Sequence, residues 1–447
     1  MSFDDFQRAV SGVPPVVTAP ARPDGSAFAA LGLAAELASA VARAGYTAPT
    51  EVQAQTIPQV LQGIDLLVSA QTGSGKTAAF VLPALQRVLM ARQDPEQRRA
   101  KGVASGPRIL VLAPTRELAL QVTRACSVYG GAIAGLRVAS VVGGVPYGAQ
   151  LKALCGPLDV LVATPGRLMD LMRSGSAVLR NVQVLVLDEA DRMLDMGFID
   201  DIRFIAQALP ATRQTLMFSA TFGGEVGELA RSLTREPRRV NVAGHTDRHQ
   251  DIEQRLYWAD SMGHRHALLE HLLVDRDVEQ ALVFTSTQRE ADQLADRLAD
   301  IGHPVASLHG GMPQGRRTRV LTDLRQRRLR VLVATDVAAR GIDVPSITHV
   351  FNVGLPMKAE DYVHRIGRTG RAGRTGLAIT LAERRDTPAV RRVERFTTQR
   401  IAEATVPGME PRPAPKVVHQ RPGAKPPAAR RGGKPSRPAT GRSGPRR

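Results

Sequence analysis

The chain has 447 residues, of which 43% are hydrophobic and only 4% aromatic, and its formal net charge is +18. That length exceeds one ordinary core, so two domains with tails are expected, and the charge points to a polyanionic partner. Cys126 and Cys155 lack metal-ligand spacing, which argues against a disulfide scaffold or a zinc site and suits two small buried apolar residues. No run approaches the roughly 20 apolar residues of a membrane span. The start M-S-F-D-D-F-Q-R has no apolar signal core, so a cytoplasmic protein is expected.

Residues 1–27 hold Pro14, Pro15, Pro20 and Pro23 and read as a flexible leader. From Phe28 a strand-then-helix rhythm begins. Apolar runs at Leu66 to Ser69, Ile109 to Ala113, Val138 to Val142, Val160 to Ala163, Val184 to Leu187 and Thr215 to Phe218 read as buried strands. Stretches between them, such as Arg116 to Tyr129, carry helical spacing. Near-continuous apolar strands alternating with helices predict an α/β fold, a parallel sheet covered on both faces. This defines a first domain over 28–240.

The rhythm breaks around Glu236 to Asp251, and a linker is expected at 241–252. Strands resume at Ala281 to Phe284, Val305 to Leu308, Val331 to Ala334, His349 to Val353 and Leu377 to Leu381, a second domain over 253–400. No close sequence repeat joins the halves, yet their architecture looks alike. Residues 401–447 read as a Pro/Gly/Arg-rich tail that cannot bury a core. Within it, residues 411–447 contain 11 Lys or Arg and no Asp or Glu, which leaves only +7 for the rest. His264 and His266 have no third ligand nearby, so a surface or packing role is expected.

The first strand runs into Ala70-Gln71-Thr72-Gly73-Ser74-Gly75-Lys76-Thr77, a phosphate-binding loop with Ala70 in place of the usual first glycine. Gly73 and Gly75 allow the tight backbone whose N–H groups face phosphate oxygens. Lys76 can place a charge between the β- and γ-phosphates, and the Thr77 hydroxyl can coordinate Mg²⁺. Val184 to Leu187 ends in Asp188-Glu189-Ala190-Asp191. There Asp188 is placed to hold Mg²⁺ and Glu189 to orient or deprotonate the attacking water.

With these motifs the sequence resembles the DEAD-box family of ATP-dependent RNA helicases over roughly residues 28–385. The resemblance implies two tandem RecA-like domains, a nucleotide cleft between them and a disordered basic tail. Gly45-Tyr46-Thr47-Ala48-Pro49-Thr50-Glu51-Val52-Gln53 looks like the family's adenine-reading Q motif. An amide such as Gln53 can pair with a donor and an acceptor on adenine, and Tyr46 can stack on the ring. Phe28 fits the isolated upstream aromatic; without the family, Tyr46 and Phe28 read as core residues.

Pro114-Thr115-Arg116-Glu117-Leu118-Ala119, Gly143-Gly144 and Thr164-Pro165-Gly166-Arg167 line the RNA path in the family, although singly each is an ordinary turn or helix cap. Ser219-Ala220-Thr221 is expected to bond, through its hydroxyls, the acids around Asp191 and couple nucleotide state to movement. In the second domain Val283-Phe284-Thr285-Ser286, Gln314 with Arg317, and Ala334-Thr335-Asp336 through Gly341-Ile342-Asp343 match further family motifs. Thr285, Gln314, Arg317 and Thr335 are thereby assigned to RNA. Ser286 departs from the basic or other polar residue of many relatives.

His364-Arg365-Ile366-Gly367-Arg368-Thr369-Gly370-Arg371 matches the motif whose arginines, here Arg368 and Arg371, reach the γ-phosphate across the cleft. His364 belongs to the coupling set and Asp343 to the ATP ribose. ATP and Mg²⁺ are the implied cofactors and RNA of little sequence specificity the implied partner. The style resembles bacterial RhlE-type members. The chain is expected to act as a monomer, with ribosome-assembly or RNA-decay proteins as candidate partners.

Overall fold

The computed structural model describes residues 25–70, 73–97, 106–242, 251–339, 342, 344, 346–370 and 374–412. Among these, two parallel sheets of seven strands each form in succession. The first contains β1 (Leu66–Ser69), β2 (Ile109–Leu112), β3 (Val138–Val141), β4 (Val160–Ala163), β5 (Val184–Leu187), β6 (Gln214–Ser219) and β7 (Arg238–Asn241). The second contains β8 (Ile252–Ala259), β9 (Ala281–Thr285), β10 (Val305–Leu308), β11 (Val331–Thr335), β12 (His349–Asn352), β13 (Gly376–Glu383) and β14 (Ala402–Ala404).

Helices α1 (Ser26–Ala29), α2 (Ala35–Arg43) and α3 (Glu51–Leu61) precede β1; α4 (Lys76–Gln93) and α5 (Arg116–Tyr129) follow β1 and β2. Next come α6 (Tyr147–Leu154), α7 (Pro165–Arg173), α8 (Ala190–Asp195), α9 (Ile199–Gln207) and α10 (Gly224–Leu233). The second half adds α11 (Met262–Leu273), α12 (Gln288–Asp300), α13 (Gln314–Arg325), α14 (Asp336–Ala339), α15 (Ala359–Ile366) and α16 (Thr387–Thr397).

The first sheet runs β3-β4-β2-β5-β6-β1-β7 and the second β10-β11-β9-β12-β13-β8-β14. Adding seven to each strand number of the first gives the second, so the halves repeat one topology without repeating a sequence. Successive strand residues point to opposite faces. Hence Ile109, Val111, Val184 and Val186 join the core on one face, and Leu110, Leu112, Leu185 and Leu187 the core on the other. Each such fully buried aliphatic side chain contributes about 1.5–3 kcal/mol.

Local capping starts helices close behind strand ends. Thr115 Oγ accepts the Leu118 N–H at 3.3 Å at the head of α5, and Thr287 with Glu290 forms a capping box on α12. Several sequence expectations are corrected. The break after Glu236 includes a strand, because β7 pairs with β1 at the sheet edge. Asn241 and Ile252, assigned to the linker, close β7 and open β8. The tail does not begin at residue 401: Ile401 and Val406 are buried, β14 pairs with β8, and the packed unit ends at Glu410. Cys126 is buried as expected, but Cys155 caps α6 and is exposed. His264 takes a packing role, with Nε2 3.0 Å from the Met409 carbonyl. The leader lies outside the described residues apart from 25–27.

Candidate active site

Strand order decides where the motifs gather. Loops of open α/β sheets meet ligands at the carboxyl ends of strands. The phosphate loop, Asp188 and Ser219 follow or end β1, β5 and β6 on one side of the sheet, while Pro114, Gly143 and Thr164 follow β2, β3 and β4 on the other.

In the phosphate loop, Gly73 and Gly75 have φ of +88° and +93°, left-handed values that favour glycine. A Cβ on Gly75 would stand 2.5 Å from Gln53 Nε2. Gln53 is fully buried. Its Oε1 accepts the Thr50 N–H at 3.0 Å and its Nε2 donates to the Gly75 carbonyl at 3.1 Å. The amide expected on adenine is thus engaged in capping α3 and holding the phosphate loop. Lys76 Nζ donates to the Ala70 carbonyl at 2.7 Å, while Ser74 and Thr77 are half-buried. Gln71 and Thr72 lie outside the described residues. Tyr46 is edge-on to Phe28 at 6.2 Å and its hydroxyl is 2.9 Å from that of Tyr129. Phe28 is a core residue, whereas Tyr46 is half-buried against that core.

Asp188 is 3% exposed, and burial, then the charge of Glu189, push its carboxyl up to about 7 against the pull of Lys76. Glu189 has φ 53° and ψ 55°, a left-handed backbone costing on the order of 1–2 kcal/mol. The Asp191 carboxylate accepts the N–H groups of Ala220 at 3.1 Å and Arg192 at 3.0 Å. Ser219 Oγ accepts the Asp191 N–H at 3.3 Å and donates to the Thr221 carbonyl at 2.7 Å. The expected hydroxyl-to-carboxylate contact is therefore corrected. Ser219 meets the Asp191 backbone, and Thr221 takes part through its carbonyl.

On the other side of the first sheet, Pro114 and Thr115 are buried and Arg116 packs over the Gly143-Gly144 turn. A Cβ on Gly144 would lie 2.1 Å from Arg116 Nη2. Burial lowers the Arg116 pKa, opposed by Glu117 and reinforced by Arg317 and Arg167. Gln150 pins the turn, its Oε1 accepting the Val142 N–H at 2.9 Å and its Nε2 donating to the Val145 carbonyl at 2.9 Å. Arg167, in the first turn of α7 behind Thr164, Pro165 and Gly166, donates to that same carbonyl at 2.9 Å. Its guanidinium lies 4.3 Å over the Tyr147 ring.

Across from these loops, Gly310, Met312, Gln314 and Arg317 help enclose a cavity of about 430 Å³ with Thr115 and Gly144. Arg317, expected on RNA, bonds Glu117 Oε1 at 2.8 Å and the His309 carbonyl at 3.0 Å. Thr285 and Thr335 are buried at the ends of β9 and β11, and Thr285 Oγ1 donates to the Thr287 carbonyl at 3.4 Å.

The arginine motif lies on and just after α15. Arg365 is 2% exposed and forks onto Asp336 at 2.6 and 2.8 Å. It also donates to the Gly354 carbonyl at 2.5 Å. Arg368 donates to the carbonyls of His364 at 3.2 Å and Ile342 at 3.0 Å, so its head is held by its own domain. It borders a small pocket with Arg192, Asp336, Asp361 and His364. Asp343 and Arg371 lie outside the described residues. Sequence reasoning gave no role to Gln150, Asp336, Glu117 or Arg365. Asp336, Glu117 and Arg365 lie inside the family's motifs, whereas nothing in the sequence marks Gln150.

Two family models match the chain, DEAD/DEAH box helicase over residues 50–229 and helicase conserved C-terminal domain over 264–373. The ATP-dependent RNA helicase SrmB of Escherichia coli is 41% identical over 389 residues, covering 86% of this chain and 85% of that protein. The DEAD-box ATP-dependent RNA helicase CshA of Geobacillus kaustophilus is 40% identical, covering 86% and 79%. Among solved structures, S. cerevisiae Dbp5 bound to RNA and ADP BeF3 matches with TM-score 0.75 and 29% identity, over 85% of this chain and 95% of that one. Mss116p bound to ssRNA and AMP-PNP matches with TM-score 0.76 and 28% identity, over 87% and 80%. The identity extends over most of both chains and both halves carry a matched domain, so this chain belongs to the DEAD-box family and is an ATP-dependent RNA helicase.

Proposed function

We propose that one ATP site is divided between the two domains, 28–241 and 252–410, and that its assembly is gated by RNA. Lys76, Thr77, Asp188 and Glu189 form the first half; Asp343, Arg368 and Arg371 form the second. The observation that carries this reading is the meeting of Arg192 with Asp361, His364 and Arg368 around one pocket between D-E-A-D and the arginine motif. Glu189 orients the attacking water, and its left-handed backbone favours a functional reason for the strain. Arginines that enter only on closure leave the open enzyme nearly idle, since an arginine finger is worth about 10³–10⁵ in turnover.

Thr77 and Asp188 are the residues that would hold Mg²⁺, which when bound neutralises charge on the phosphate oxygens. A buried carboxyl pushed up to about 7 fits a position completed by a cation. No cage of three or more His, Cys, Asp or Glu occurs among the described residues, which suits a cation shared with phosphates. Tyr46 remains the adenine-stacking candidate. Gln53 serves adenine after its Gly75 contact rearranges.

RNA binds along Thr115, Arg116, Gly144, Thr164, Arg167, Gln314 and Thr335. Closure on a bent single strand separates short duplexes locally and remodels RNA–protein complexes, and hydrolysis reopens the cleft. ATP and RNA each favour the closed state, so each strengthens binding of the other. No helix among the described residues is long and apolar enough to cross a membrane, and a cytoplasmic monomer acting on structured RNA is proposed. ATP hydrolysis assayed with and without single-stranded RNA tests the reading. Strong RNA stimulation that disappears on chelating Mg²⁺ is expected; turnover indifferent to RNA would overturn it.

A further inference from the structure

The short helix α8 begins within D-E-A-D, at Ala190, and α15 carries the first residues of the arginine motif. Four charges join them across the domains. Arg192 pairs with Asp361, and Lys358 with Asp195. Arg192 also reaches Asp195 at 3.2 Å. The Arg192 and Asp361 side chains are 3% and 14% exposed, so neither charge tolerates loss of its partner. Lys358 is 60% exposed, which makes its pair the weaker one.

The order of these charges matters. Along the first segment a cation, Arg192, precedes an anion, Asp195, by three residues; along the second, Lys358 precedes Asp361 by the same interval. The pairs cross, first with last. A slide of one helical turn would set Arg192 against Lys358 in one direction, or Asp195 against Asp361 in the other. Both place like charges together at a partly desolvated contact, which is costly.

Each end is wired to the chemistry. The Arg192 N–H donates to Asp191 Oδ1 at 3.0 Å, and Asp191 is tied to Ala220 and Ser219. Asp361 lies one turn before Arg365, which forks onto Asp336. We propose that Arg192 and Asp361 are positioning residues that lock the register of domain closure, admitting only the alignment in which the arginine motif faces D-E-A-D. The lock rests on the divided-site reading and names the contact that aligns its halves.

Closure can be read without chemistry. The exposed Cys155 carries one dye and a Val274→Cys substitution, at a position 70% exposed, carries the other. The full chain is titrated with single-stranded RNA in the presence of a non-hydrolysable ATP analogue. Arg192→Met and Asp361→Asn should each raise the RNA concentration needed for closure about tenfold, with the double variant no worse than the poorer single. That non-additivity separates a contact between domains from a packing defect within one, and Asp361→Asn keeps the side-chain shape should Arg192→Met fold poorly. Losses that multiply in the double variant, or singles that close normally, would overturn the lock while leaving the divided site standing. An unaltered chain that never closes would overturn both.

Discussion

The two halves of the molecule share one strand order yet manage charge in opposite ways. In the first, Asp188 and Glu189 are buried side by side, and Asp188 is pushed up to about 7 because Lys76 only partly offsets its surroundings. In the second, Arg365 and Arg368 are equally buried but satisfied, the former by Asp336 and Gly354, the latter by His364 and Ile342. In the proposed divided site, the first half has a deficit of positive charge that a phosphate-bound cation and arginine would fill, and the second holds its arginines on rigid supports for closure to present. On that proposal one fold used twice serves as receptor and donor, the difference residing in loops at the carboxyl ends of matching strands.

The largest test of that contrast removes the donated charge. Arg371→Ala should cut RNA-stimulated hydrolysis about a thousandfold or more, read as steady-state phosphate release; an unchanged stimulated rate would break the division of labour. Glu189→Gln should lower turnover at least about 10²-fold while ATP analogue binding persists in equilibrium titration, and near-normal turnover would remove Glu189 from the water chemistry. The satisfied state of the second half is sharpened by Asp336→Ala, which strips the fork from Arg365. A loss of about 3 kcal/mol is expected, visible as a lower denaturation midpoint, whereas an unchanged midpoint would mean the carbonyl contacts suffice. The smallest effect concerns residues 411–447. Their deletion should weaken RNA affinity only several-fold and flatten its dependence on salt. Equal salt slopes with and without them would reduce the segment to a solubility role.

Strands such as β4 and β5 were legible because their residues are apolar on both faces, as V-L-V-A and V-L-V-L. β7 and β14 were not. β7 reads R-R-V-N with one buried residue, and β14 is the three residues A-E-A. Such strands at sheet margins are held by backbone hydrogen bonds, which side-chain pattern does not encode. The same limit explains residues 401–410, where Ile401 and Val406 are too few to register as a core yet pack on one already formed.

At the site, the arginine motif was carried by the family resemblance, whereas the phosphate loop and D-E-A-D were readable from spacing and residue type. Partners were not. Gln53 donates to the Gly75 carbonyl, Arg317 pairs with Glu117, and Ser219 meets the Asp191 backbone rather than its carboxylate.

The sequence by itself determined that the chain has a nucleotide half, an arginine half and a basic end, because each follows from local composition or a short run of residues. Only the tertiary structure decided which charges are paired with one another. That depends on distances between residues far apart in the chain, such as Arg192 and Asp361, fixed by how two sheets of the same topology meet rather than by any local pattern.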